Sequence, residues 1–370
     1  MPIAVSPRRL AKAAALTTAA AGGAFAFAAC SPIVPTATLD GGTVTISGTA
    51  NGDVIHVAMN PNELTVDFGG DGTVDARFLR ADYQRVLVNS NEGDDAVNVS
   101  GDGVGDVPLT VSGGLGSDGM GVLGNLGDTG AGDAATSING DDGNDDLDTI
   151  VPGPVTVQGG GGDDSVTGGG AGVGRQTISL GDGNDTFVNL IESQIGARND
   201  IVDGNGGRDT MEVEGSAVSE TLNLSTASVG RLIIDHDDRS GPGGVDRIDA
   251  DNVEAVRWFG FGGLQGVGDR VVVNDLVATD VFEFMPDFSS GRGSNAPNES
   301  ADTLIMRGTP GIDFYAVGTF SPNTISVGGT VAMTARFLQP NDLLRIETLE
   351  GDDFVDSASL PEGLVRFEVG

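Results

Sequence analysis

One nine-residue pattern, Gly-x-x-Gly-x-Asp-x-apolar-x, returns along the middle of this chain and constrains its fold more than any other feature. Its cleanest copy is Gly159-Gly160-Gly161-Gly162-Asp163-Asp164-Ser165-Val166-Thr167. Close copies begin at Gly113, Gly140, Leu180 and Gly204 and put Asp118, Asp145, Asp185 and Asp209 at the acidic position. Partial copies around Gly93 and Gly351 carry Asp95 and Asp353, and a looser copy from Gly308 carries Asp313. So regular a return of glycine, acid and one apolar residue marks a repeat array rather than ordinary domains.

Each letter of the pattern has a physical reading. Glycine permits positive φ and close backbone approach, so the first half is a tight turn with carbonyls aimed inward. The Asp ends the turn with a carboxylate, and x-apolar-x is a short strand that points one residue into a core. Carbonyls and carboxylates gathered at one edge form a hard-oxygen cage, which suits the flexible, many-oxygen coordination of Ca²⁺ better than the octahedral demands of Mg²⁺. The alternative is a Gly-Asp β-turn with no metal, because Asp favours turns in any case.

Composition removes most other chemistries. Gly accounts for 60 of 370 residues, yet hydrophobic residues still make up 38%, enough for a core and against a disordered polyanion. Lys12 is the only lysine, which excludes P-loop and Schiff-base chemistry from the body of the chain. Two histidines, His56 and His236, and the single Cys30 allow neither an intramolecular disulfide nor a zinc site of ordinary ligand count. Asp and Glu number 54 against 19 Lys and Arg, a net charge of -35 that repels nucleic acid and anionic lipid and attracts cations.

The amino terminus reads as an export signal over residues 1–29, with Arg8, Arg9 and Lys12 ahead of an Ala-rich apolar run and no acid. Ser6-Pro7-Arg8-Arg9-Leu10-Ala11-Lys12 looks like a twin-arginine signal. Cys30, after Phe27-Ala28-Ala29, resembles a bacterial lipoprotein cleavage site and offers a lipid anchor; plain cleavage after Ala24-Phe25-Ala26 is the alternative. No second apolar run has membrane-spanning length.

The repeat resembles the hemolysin-type (RTX) calcium-binding repeat, Gly-Gly-x-Gly-x-Asp-x-apolar-x. That resemblance implies a parallel β-roll with Ca²⁺ between stacked Gly/Asp turns. More widely, the chain is similar to exported bacterial Ca²⁺-binding proteins with non-tandem repeats, a likeness that takes in Asp269-Arg270-Val271-Val272, Ala301-Asp302-Thr303-Leu304 and Gly351-Asp352-Asp353-Phe354. Asp269 and Asp302 thereby join the metal candidates. The copies at 113, 140, 159, 180 and 204 lie 27, 19, 21 and 24 residues apart rather than nine. That spacing fits one Gly/Asp turn per coil, with an unmarked return strand such as Pro154-Val155-Thr156-Val157. The expected fold is an all-β, parallel β-helix or roll-like solenoid with a single calcium edge, flanked by further β segments.

Four segments follow: the signal 1–29, an N-terminal β segment 30–88, the Gly/Asp solenoid 89–214, and a C-terminal β region 215–370 with degenerate repeats such as Gly215-Ser216-Ala217-Val218-Ser219-Glu220. His56, between Ile55 and Val57, is expected to face solvent on a strand, and His236 to lie in a charged loop. Trp258 is expected in the core, and Asp94, Asp163 and Asp352 are expected to face solvent. These features point to a non-catalytic, extracellular or cell-surface structural module stabilised by Ca²⁺, with cell-surface polysaccharide or other surface proteins as partners. The alternative is a β-helix enzyme acting on polysaccharide with Ca²⁺ assistance, which the lack of Lys and the scarcity of His and Tyr disfavour.

Overall fold

Strands such as Val155–Gly161 alternate buried and outward side chains, so each can pair on both edges while presenting one apolar face. A computed structural model describes residues 34–370 except 125–133, 152, 170–174, 191–198, 217, 238–244, 262–266, 322 and 330. The signal segment 1–29 and Cys30 lie outside the described residues. The chain winds back and forth between two fifteen-stranded sheets, and no α-helix occurs among the described residues. An all-β, mostly parallel solenoid is therefore what the sequence spacing predicts and what the chain adopts.

Each coil through the middle contributes one strand to each sheet. Thr136–Asp142, Val155–Gly161 and Gln176–Gly183 pair in parallel in the first sheet. Asp146–Ile150, Ser165–Gly169 and Thr186–Leu190 do the same in the second. The apolar letter of the repeat forms one column in the second sheet: Met120, Leu147, Val166, Phe187 and Met211 are register partners in turn, and each is at most 1% exposed. Val111, Ile138, Val157, Ile178 and Val202 form the facing column in the first sheet. Parallel sheets are covered on their inner faces in this way, and the core is a stack of aliphatic layers.

The parallel stack is interrupted three times by a three-stranded antiparallel unit. The first is Val54–Met59, Glu63–Phe68 and Ala76–Leu79. The second is Thr221–Ser228, Arg231–Asp237 and Asp246–Asp251, and the third Phe314–Ser321, Thr324–Gly328 and Ala332–Arg336. In each, the first strand pairs in parallel with the following coil. Trp258 is fully buried with Phe288 edge-on at 5.4 Å, and His56 is exposed, both as the sequence predicts.

Candidate functional site

The repeat aspartates meet at the corner where the chain passes from the first sheet to the second. The backbone N–H of each donates to Oδ1 of the aspartate one coil further on: Asp95 to Asp118 at 2.8 Å, Asp118 to Asp145 at 2.8 Å, Asp145 to Asp164 at 2.8 Å, Asp164 to Asp185 at 2.7 Å and Asp185 to Asp209 at 2.8 Å. Asp53 precedes this ladder, donating to Asp95, and Glu254 ends it, accepting from Asp209. Six sequence-predicted positions are thus brought into one line. Asp53 and Glu254 are rungs that motif reading missed, and Glu254 follows Asn252-Val253 with no glycine to signal it.

The glycines of the motif serve two neighbours of the rung. Five residues before the rung, a Cβ on Gly113, Gly140 or Gly159 would run into Oδ2 of Asp118, Asp145 or Asp164. Two residues before it, a Cβ on Gly116, Gly143 or Gly162 would strike the backbone carbonyl of Gly93, Gly116 or Gly143 on the preceding coil. The first glycine makes room for the carboxylate, and the second lets successive turns stack closely.

One residue before the rungs a second ladder runs in the opposite direction. The N–H of Ser117 donates to Asp94 Oδ1 at 3.0 Å, that of Asp163 to Asn144 Oδ1 at 2.9 Å, and that of Asn184 to Asp163 Oδ1 at 2.8 Å. Asp94, Asp163 and Asp352 are exposed, as the sequence predicts.

The spacing of the repeats implies a single acidic edge, and here the structure differs. Beyond residue 215 a ladder of the same kind forms on the opposite corner, where the chain returns from the second sheet to the first. Glu220 donates to Asp269 at 3.0 Å, Asp269 to Asp302 at 2.8 Å and Asp302 to Asp342 at 2.9 Å. A third, two-rung ladder returns to the original corner, with the N–H of Asp313 donating to Asp353 Oδ1 at 2.9 Å. The antiparallel units shift the phase of the winding, which no single motif copy records. Each ladder starts with a local cap: the N–H groups of Thr49, Ser216 and Thr309 donate to the carboxylates of Asp53, Glu220 and Asp313, four residues on. His236 is corrected from loop to strand: it sits in Arg231–Asp237, only 3% exposed, with Nε2 3.5 Å from Glu220 Oε1.

The electrostatics of the main ladder are unusual. Asp118, Asp145, Asp164, Asp185 and Asp209 are each at most 3% exposed, and the Oδ2 atom of each has no hydrogen-bond partner. Burial pushes the carboxyls of Asp145 and Asp209 up to about 7 and that of Asp164 up to about 6; neighbouring carboxylates push the same way, and the amide bond to Oδ1 opposes both. Asp342 is likewise raised to about 7 by burial. Outside the corner, an open groove lined by Glu92, Asp141, Asp142 and Asp182 adds further negative charge. Among the described residues no three acidic or histidine side chains converge on one metal position. A cation at this edge would therefore take carboxylate oxygens from one or two rungs and complete its shell with backbone carbonyls, as hard cations do. No protein-family model matches the chain, and no curated protein matches it either.

Proposed function

We propose that this protein is an exported, non-catalytic, calcium-binding β-solenoid that serves as a surface or matrix structural module. The observation that supports this reading is the row of buried Oδ2 atoms on Asp118, Asp145, Asp164, Asp185 and Asp209, which no protein group satisfies. An ionised carboxylate oxygen out of water is costly unless a proton or a cation meets it. The residues fit Ca²⁺: an all-oxygen donor set, glycines that leave the carboxylate room, and carbonyls stacked one coil apart. Asp95, Asp353, Asp269, Asp302 and Asp313 occupy the same rung position in their ladders and are proposed as further ligands. With little Ca²⁺ the rungs repel one another and the corner is weakened. External Ca²⁺ would neutralise them, so that binding free energy becomes folding free energy.

A second reading is favoured by the Oδ1 contacts: each rung already accepts an amide, so the ladder could be a metal-free stacking device. Far-UV circular dichroism and thermal melting during a Ca²⁺ titration, with Mg²⁺ and roughly 1 M KCl as controls, separate the two. A cooperative gain with Ca²⁺ alone supports the calcium module, and an equal response to all three supports bare stacking.

A further inference from the structure

Among the described residues, the apolar core thins to half-buried side chains at both ends of the solenoid: Ala37, Ala76 and Phe78 at the amino-terminal end, Val355, Leu364 and Phe367 at the other. Solenoid ends need polar caps to remain single. Both ends also present a sheet edge with no strand beside it among the described residues, because Ala76–Leu79 and Phe354–Ser359 are the two terminal strands of the second sheet. Leu79 and Phe354 on these strands are 61% and 58% exposed.

What fits the edge of Ala76–Leu79 is visible twice within the chain. This strand is the third of an antiparallel unit. In the other two units the third strand's outer edge pairs in parallel with a preceding coil: Asp246–Asp251 with Asn199–Gly207, and Ala332–Arg336 with Glu283–Asp287. The sequence Ala335-Arg336-Phe337-Leu338 of the third unit recurs as Ala76-Arg77-Phe78-Leu79 in the first, two positions earlier in the strand register, so that Leu79 takes the place of Arg336. In the third unit Arg336 crosses to Asp287 on the neighbouring coil at 3.0 Å. Among the described residues Arg77, two places before the corresponding position, pairs with the exposed Glu63 of its own unit, a pair easily exchanged. Parallel to this edge, and itself the terminal strand at the other end of the sheet, is Phe354–Ser359, which carries Asp356 and follows Glu350, Asp352 and Asp353.

We propose that the partner of this end is a second copy of the chain, seated end to end. Phe354–Ser359 of one copy adds in parallel to Ala76–Leu79 of the next, continuing the second sheet and covering the half-buried side chains at both ends of the core. The interface is heterologous and does not close on itself, so it propagates as a filament of stacked solenoids. The net charge of -35 opposes assembly at low salt, so the association strengthens as screening shortens the Debye length.

The test is sedimentation of the chain between about 1 and 100 µM at about 0.15 M KCl, together with Leu79→Asp and Phe354→Asp. Both substitutions are at exposed sites, and unchanged circular dichroism would show that each variant folds. The wild-type chain is expected to grow in mass with concentration, and each variant alone is expected to be monomeric. An equimolar mixture of the two is expected to stop at dimers, because each retains one competent end of opposite kind. A wild-type chain that stays monomeric would overturn the proposal, including the case in which its own first residues cover the end. So would a single variant that still associates, or a mixture that remains monomeric.

Discussion

Asp145 and Asp164 are joined by a 2.8 Å hydrogen bond from the backbone N–H of the first to Oδ1 of the second. One residue earlier the direction reverses, with the N–H of Asp163 donating to Asn144 Oδ1 at 2.9 Å. Adjacent turns are therefore clamped by two side chains pointing in opposite senses along the stack. Only the inner side chain is buried, with one oxygen left over.

The two oxygens of a rung are separable by substitution. Asp164→Ala leaves the N–H of Asp145 without its acceptor and should lower cation-free stability by about 1–3 kcal/mol. Asp164→Asn keeps an acceptor for that N–H and removes a buried charge, so its cation-free stability at neutral pH should equal or exceed that of the wild type. The same Asn variant should lose part of the Ca²⁺-induced rise in Tm. Chemical denaturation with and without chelator reads both effects.

Gly143→Ala should be among the most damaging single changes. Its φ is +147°, and a Cβ there meets the carbonyl of Gly116 on the preceding coil. Neither strain nor collision can be relieved without parting the coils, so a loss of about 3 kcal/mol or more is expected. Gly119→Ala is the control: nothing lies nearer than 3.9 Å to its Cβ, and the change should be neutral or slightly stabilising. Thermal melts of the two variants compare them directly.

The gap between these glycines shows what the sequence could and could not reveal. Gly, Asp and the apolar residue two places on are all local requirements of one turn, so Asp95, Asp118, Asp145, Asp164, Asp185 and Asp209 could be picked out before any coordinates. Asp53 keeps part of the motif, with Gly48 five residues before it and Ile55 two after it, whereas Glu254 and Asp342 are rungs because of the coil beside them, and their preceding neighbours, such as Gln339-Pro340-Asn341 before Asp342, carry no glycine to signal it. The second edge was illegible for a related reason. A motif copy records the shape of its turn but not which corner the winding has reached after an antiparallel unit.

Cation-free stability should fall as pH rises. Asp95, Asp145 and Asp209 are raised by burial from the ordinary 3.8 to about 7. Between those values the folded chain binds more protons than the unfolded one. The rungs' contribution is complete below about pH 4 and is lost as pH climbs through about 7. In chelator, Tm should decline from mildly acid to neutral pH, and added Ca²⁺ should restore most at the neutral end. A Tm in chelator that rises over the same range would contradict this.

The most direct test of calcium uptake by the ladder is equilibrium dialysis of Ca²⁺ against the chain in about 0.15 M KCl, beside the triple variant Asp145→Asn, Asp164→Asn and Asp185→Asn. The expected result is saturable binding of several ions per chain that excess Mg²⁺ does not displace, with fewer ions on the variant. Binding no greater than the background set by the chain's charge, or an ion count unchanged in the variant, would leave the aspartates as stacking residues and contradict the calcium module.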